Sequence, residues 1–305
     1  MAKGLRINKG TKKVKSAKEI LNETCESEPS PVILRQLQVV LAEILADVAF
    51  CCEENHLDYS LFAGTLLGAE RHQGFIPWDD DIDMCMPANL IGKLVDKLKE
   101  MYGDKYYFIA FGYDGTDYPF MGLKIGKKGT KMSKLSEENF PIPDGIVIDV
   151  YPVFPISNRP FARKLEGLLY SSLSHCAAFS YEHKYPSFSC LTSKNKDIAH
   201  YYKKRRIIGL FTCVLPVKGW IWLRNKMVFS KKKTNYDGAD VEKGLYGQKS
   251  VKFDFSHLTY LEFEGRKYAC LKNYKDILVA LYGPSYMELP PLNKRETHSY
   301  REIAF

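Results

Sequence analysis

Apolar residues recur at helical spacing early in the chain. Leu34, Leu37, Leu41, Ile44, Leu45, Val48 and Cys52 fall on one face, and Pro31 stands where a helix opens. This pattern predicts an amphipathic helix over 32–55. The period then shortens: Tyr59–Ala63 reads as a strand broken by Gly64-Thr65, and Ile82–Met86 as a strand ended by Pro87. Ala88–Met101 returns to helical spacing, and Tyr106–Phe111 and Phe120–Ile125 read as further strands. Ile146–Tyr151 is an apolar run interrupted by one acid, Asp149. From Arg159 the chain changes to helix, loop and a long basic-apolar stretch reaching about Asn235. A mixed segment closes it, with Tyr260–Phe263 as a strand and Tyr274–Tyr282 as a helix. Strands interleaved with helices, then helices alone, predict an α/β (α+β) mixed-sheet core with a mostly helical additional lobe. The expected divisions are a basic arm at 1–31, a core at 32–157, the lobe at 158–259 and a C-terminal segment at 260–305 that packs back on the core.

Composition narrows the function classes. With 45% hydrophobic and 26% charged residues, the chain is neither largely disordered nor a polytopic membrane protein. Its net charge of +8 is concentrated. Residues 1–18 carry seven Lys/Arg and no acid, and ten more lie between Asp197 and Asp237, again with no acid. Removing those seventeen from 44 leaves 27 basic residues against 36 acidic ones, so two basic patches sit on an acidic body. That distribution argues against a nucleic-acid partner. The eight cysteines are scattered, without a C-x-x-C pair or zinc spacing, as expected of thiols in a reducing compartment. The N-terminus lacks the apolar run of a secretory signal, and Ala2 stands where myristoylation needs glycine, so the expected location is the cytoplasm.

The chemistry is carried by acids. Pro77-Trp78-Asp79-Asp80-Asp81-Ile82-Asp83-Met84 places four carboxylates in five positions and runs directly into an apolar strand. Such carboxylates repel one another and take up protons unless a cation sits among them. Asp81 and Asp83, two apart, point to one face of a strand, and hard oxygen donors there suit Mg²⁺ or Mn²⁺. The competing reading is a solvated acidic turn. Asp149, flanked by β-formers, needs a partner if buried, and a metal shared with Asp81 and Asp83 supplies one.

A strand, a Gly-Thr turn, a strand with Asp-x-Asp and a later strand with one Asp together resemble the nucleotidyltransferase fold of the polymerase β type. The local words are closer still. Phe62 through Asp83, with Gly64-Thr65-Leu66-Leu67-Gly68 and Pro77-Trp78-Asp79-Asp80-Asp81-Ile82-Asp83, resembles the signature block of the LicD family. More distantly, it resembles fukutin-related protein. The likeness continues at Ile148-Asp149-Val150-Tyr151-Pro152, at Phe263-Glu264-Gly265 and at Leu281-Tyr282-Gly283-Pro284-Ser285, with Lys294-Arg295 and His298 beyond. Glu70 departs from it, standing where an apolar residue is usual.

The resemblance implies a phosphotransferase that moves phosphocholine from CDP-choline onto a hydroxyl of a surface glycan, a teichoic acid or a lipopolysaccharide precursor, releasing CMP. Ethanolamine, ribitol, glycerol or aminoethylphosphonate donors would use the same centre, and a non-catalytic membrane-associated binder is the alternative from another class. It further implies Asp81, Asp83 and Asp149 as metal ligands and catalytic residues, for two Mg²⁺ or Mn²⁺ ions. Asp149 is also the candidate base. Gly64, Thr65, Arg71, His72 and Lys124 are the candidate phosphate contacts. Lys124 as a solvated edge lysine, and His72 as a hydrogen-bond partner of the acidic loop, are the alternatives. Trp78 either packs beneath the acids or faces a quaternary ammonium.

The stretch 203–233, from Lys203-Lys204-Arg205-Arg206 to Lys231-Lys232-Lys233, is interrupted by Pro216, Lys218 and Arg224 and is no clean membrane span. Two readings stand: helices lying in an anionic membrane surface at the inner face of the cell membrane, or a core helix pair with solvated basic ends.

Overall fold

Residues 26–110, 117–120, 122–229, 234–239, 251–295 and 297–305 are described by a computed structural model of the chain. The expected basic arm up to residue 25 and the Lys231–Lys233 cluster lie outside the described residues.

The predicted first helix, α1, spans Pro31–Glu54. Ser30 caps it by accepting the Ile33 N–H at 3.4 Å, and its apolar face from Leu37 to Cys52 is buried completely at Leu37, Leu41, Ile44, Leu45 and Val48. Each such aliphatic side chain contributes about 1.5–3 kcal/mol by leaving water. Next come β1 (Ser60–Leu61), α2 (Ala63–His72), β2 (Asp83–Pro87), α3 (Ile91–Tyr102), β3 (Tyr106–Ala110), β4 (Leu123–Lys127), β5 (Lys131–Ser133) and β6 (Val147–Ile156). The central sheet runs β1-β2-β6-β4-β3. β2 pairs with β6 in parallel and β4 with β6 antiparallel, so the sheet is mixed as expected. α1 and α3 cover the sheet, and β2 and β6 lie inside it with Met84, Met86, Ile148 and Val150 in the core.

The helical lobe is α4 (Pro160–Lys184), α5 (Phe188–Leu191), α6 (Lys196–Thr212) and α7 (Val217–Phe229). α6 and α7 pack along α4. Ser180 donates to Thr212 Oγ1 at 2.9 Å, and Ala177, Tyr181, Val217 and Ile221 bury together. The lobe is shorter than the expected 158–259, because β7 (Tyr236–Ala239) returns to pair with β6 and Phe253 packs with Phe62 and Leu271. The chain closes with a hairpin, β8 (Leu258–Phe263) and β9 (Arg266–Leu271), then α8 (Tyr274–Tyr282) and β10 (Glu302–Ala304), which pairs with β5.

The junction from β1 into α2 is tight. Ala63 holds φ 41°, in the left-handed region that costs a non-glycine residue free energy. Further along α2, a Cβ on Gly68 would lie 2.5 Å from the Gly74 carbonyl oxygen, so helix and loop touch backbone to backbone just before the acid run. Gly68→Ala is expected to lower stability by about 1–3 kcal/mol in a urea titration. An unchanged midpoint would mean that the 74–76 loop gives way freely.

Candidate active site

The register of three strands assembles the site. Asp83 of β2 faces Asp149 of β6, and Asp149 faces Lys124 of β4. Residues paired across strands put their side chains on the same face, so two carboxylates and an ammonium form one row. The strand ends are tied by backbone groups: Asp83 N–H donates to Thr65 Oγ1 at 2.8 Å, and Phe62 N–H donates to the Asp83 carbonyl at 3.0 Å. Asp149 N–H donates to the Ile82 carbonyl at 2.9 Å. Thr65 is therefore buried and holds β2 in place with its hydroxyl, while Gly64 keeps α2 close to the acids. A Cβ at Gly64 would meet Asp79 Oδ2 at 3.0 Å.

Lys124 donates to both Asp149 oxygens, at 2.8 and 2.9 Å, and its Nζ lies 4.9 Å from the centre of the Phe120 ring. Burial works against its charge, but Asp149 outweighs that and raises its pKa. Lys124 lies between β6 and β3 rather than at a solvated edge.

The acids crowd one another. Burial first, then Asp81, Asp149 and Asp79, push the Asp83 carboxyl well above the ordinary carboxylate range, with Lys124 pulling the other way. Burial and the Asp81 and Asp80 charges do the same to Asp79. Asp81 is raised by burial, Asp80 and Asp149, with His298 opposing. Asp80 goes the opposite way. Burial would raise it, but the hydrogen bonds from His298 and Tyr300 prevail and lower it. All-oxygen donors that repel one another in a half-buried cleft fit a hard divalent cation. Of the expected ligands, Asp83 of β2 lies opposite Asp149 of β6, while Asp81, in the loop before β2, is within electrostatic reach of both and hydrogen-bonds Asp79. The donor set whose ligand atoms converge among the described residues is a different one: one atom each from Asp80, Asp81 and His298 lie within 4.8 Å of one another.

Arg71 and His72 lie at the far end of α2, in its last turn. Arg71 Nη1 donates to the carbonyls of Tyr286 and Glu288 at 3.0 and 3.2 Å, and its Nε donates to His72 Nε2 at 3.0 Å. Arg71 thus ties down the C-terminal segment while remaining within electrostatic reach of Asp79. His72 bonds to Arg71 and not, as the alternative had it, to the acidic loop.

Residues that sequence reasoning left out of the site come from that same segment. His298 Nδ1 pairs with Asp80 Oδ1 at 2.6 Å, and Tyr300 hydrogen-bonds Asp80. The Arg295 guanidinium carbon sits 4.1 Å over the Trp78 ring, whose other contacts are with the core. Trp78 thus packs beneath the acids. Asp79 had a signal in sequence, since Asp79, Asp81 and Asp83 alternate. His298, 218 residues from Asp80, had none beyond the family resemblance.

A carboxyl whose pKa rises on folding destabilises the fold as pH climbs from the ordinary carboxylate value towards the raised one. Asp83→Asn relieves that repulsion. Without divalent ions the variant is expected to melt above wild type at pH 7.5, by roughly 2–4 °C for each kcal/mol relieved. The gap should close near pH 4. Equal melting at both pH values would show that Asp83 is not strained by its neighbours.

Comparison with known proteins gives the same block a family. Residues 56–164 match the LicD/FKTN/FKRP nucleotidyltransferase domain. Over 277 residues the chain is 27% identical to the lipopolysaccharide cholinephosphotransferase LicD of Haemophilus influenzae, spanning 88% of this chain and 97% of that protein. A 44-residue stretch, 14% of this chain, is 46% identical to an uncharacterized protein of Rickettsia prowazekii, of which it covers 16%. The matched domain encloses Gly64, the acid run, Lys124 and Asp149, so the chain is similar to LicD transferases where its carboxylates lie.

Proposed function

We propose that this transferase moves a phospho-alcohol group, phosphocholine from CDP-choline in the leading reading, onto a hydroxyl of a surface glycan or its lipid-linked precursor. Teichoic acid and lipopolysaccharide precursors both supply such a hydroxyl, and CMP would be released. The observation that carries the reading is the row Asp83–Asp149–Lys124, a carboxylate pair closed by a half-buried ammonium. The likeness to the Haemophilus influenzae cholinephosphotransferase supports the choline headgroup. Ethanolamine, ribitol, glycerol or aminoethylphosphonate donors would meet the same row.

Asp81, Asp83 and Asp149, with Asp79 beside them, would hold Mg²⁺ or Mn²⁺. Bound there, the ion would neutralise diphosphate charge and stabilise the leaving CMP. The chain's own groups do the rest. The first turn of α2 presents backbone N–H groups at the positive end of its dipole, beside Gly64, where a phosphate is favoured. The acceptor oxygen forms the new bond to phosphorus as the phosphorus–oxygen bond to CMP breaks, and its proton passes to an Asp149 oxygen. Lys124 bonds to both Asp149 oxygens, which orients the carboxylate for that task, and places a positive charge beside the phosphoryl oxygens.

The test is a melting-temperature panel with and without Mg²⁺: CDP-choline, CDP-ethanolamine, CDP-ribitol, CDP-glycerol, CTP, UDP-glucose and ATP. A ligand at 100 times its Kd adds about 2.7 kcal/mol. A Mg²⁺-dependent rise confined to one CDP-alcohol, lost in Asp149→Asn together with turnover, is the expected result. A rise from CTP or ATP alone would replace the proposal with nucleotidyl transfer. No response from any donor would favour the non-catalytic binder. Lys124→Met should cut kcat by roughly 10²–10³-fold, as loss of a charge-stabilising donor does.

A further inference from the structure

The helical lobe turns an apolar face outward. α6 buries Ile198, Ala199 and Gly209, but its remaining aliphatic stripe is not in the core. Ile207, Leu210, Phe211 and Val214 follow one another at helical spacing and face solvent, Phe211 and Val214 being 75% and 78% exposed. α4 repeats the arrangement with Phe161, Leu165, Leu168 and Leu169, Phe161 being 81% exposed, and α7 adds Trp222 and Leu223. Because α6 and α7 both pack along α4, these stripes belong to one lobe. Soluble monomers rarely expose contiguous apolar patches of more than a few hundred Å² without a partner for them. The reading of 203–233 as a core pair thus holds for the inner side of α7, with Val217 and Ile221 buried, but not for this outward stripe.

Charge says what the partner is. Residues 198–229 contain seven Lys/Arg and no acid. Two of the seven turn inward: Arg205 pairs with Glu182, and Arg224 is buried, donating to the Pro119 carbonyl at 3.0 Å. The others, Lys203, Lys204, Arg206, Lys218 and Lys226, are exposed beside the apolar stripe. The Lys226 ammonium lies 5.0 Å from the Trp222 ring. Apolar side chains flanked by lysines and a tryptophan match the boundary between acyl chains and anionic headgroups. A second copy fits poorly, since an isologous contact would bring the basic, acid-free stretch 198–229 against itself. Spanning does not fit either. α6 and α7 meet at 78°, no single helix among the described residues is long and apolar enough to cross, and Val217, Ile221 and Arg224 of α7 are committed to protein contacts.

We propose that α4, α6 and α7 form an in-plane docking surface for an anionic phospholipid bilayer. Phe211, Val214 and Trp222 enter the interface, and Lys203, Lys204 and Lys226 sit among the headgroups. The inner side of α7 meets the catalytic layer: Arg224 holds Pro119, and the next residue, Phe120, lies against Lys124. If the proposed function holds, a lipid-anchored acceptor reaches the carboxylate row from this side; the docking itself does not depend on that reading.

The experiment is co-sedimentation of the whole chain with phosphatidylcholine vesicles containing or lacking 30% phosphatidylglycerol, followed by tryptophan emission. Binding to the anionic vesicles, with a blue shift lost in Trp222→Phe, is expected. Phe211→Ser with Val214→Ser should weaken it about tenfold or more. Lys203→Gln, Lys204→Gln and Lys226→Gln together should weaken it about a hundredfold and flatten its salt dependence, Arg206 and Lys218 remaining. Both variants replace exposed residues, and unchanged melting will establish that they fold. Failure of the wild type to bind anionic vesicles at low salt would overturn the proposal. So would undiminished binding by the apolar variant, or a dimer in analytical ultracentrifugation that this variant disrupts.

Discussion

Asp149 lies between a like charge and an opposite one, and the arrangement of the core follows from keeping it there. On one side the parallel pairing of β2 and β6 puts Asp83 directly opposite it. On the other the antiparallel pairing of β4 supplies Lys124. Two carboxylates side by side in a half-buried cleft are costly, and one ammonium bonded to both oxygens of Asp149 offsets part of that cost. The remainder shows in the raised pKa values of Asp79, Asp81 and Asp83, whose repulsion a hard cation would relieve. The fold, by holding repelling groups together, makes a site that a cation would stabilise.

The surrounding elements supply that restraint. Thr65 and Phe62 hydrogen-bond the backbone of Asp83, Gln38 of α1 donates to the Asp79 carbonyl at 3.0 Å, and Gly64 lets α2 approach the Asp79 carboxylate. The C-terminal segment closes over the loop from above, with Arg295 on Trp78 and both His298 and Tyr300 on Asp80. Tyr300 is itself anchored to Ser27 by two backbone hydrogen bonds, at 3.1 and 3.0 Å. Segments from the two ends of the described chain, both outside the 56–164 match, thus meet at the acid run within it.

The helical lobe divides its residues by direction. Inward, Tyr181, Val217 and Ile221 pack on one another, and Arg224 reaches the loop that carries Phe120. Outward, the same helices present aliphatic and basic side chains. Neither α6 nor α7 shows the single clean apolar face of an ordinary surface helix. Each has two faces to satisfy, one towards protein and one towards a partner.

Some of this was legible from residues alone. The 3.6-residue spacing from Leu34 to Cys52 requires a helix, and Asp81, Asp83 and Asp149 could be singled out because acids embedded among β-formers lack a local reason to be there. Gly64 and Thr65 were likewise found by their place between a strand and a helix. The alternation that picks out Asp79 was also present, but adjacency in an acid run conceals which members turn inward. What no local pattern holds is register. Whether Lys124 meets Asp149 or solvent depends on which strand lies beside β6, and a slip of one residue would send every side chain to the opposite face. His298 and Arg71 depend on contacts across 218 and 215 residues of sequence. Whether Ile207 and Phe211 are core or surface depends on which side of α6 meets α4, because their spacing serves either role. Periodicity and residue chemistry are properties of a few neighbouring positions, so the sequence by itself determined the elements and the acids. Pairing, burial and charge neutralisation arise between distant segments, so only the tertiary structure decided which acids share a site, which lysine answers them and which face of the lobe stays open.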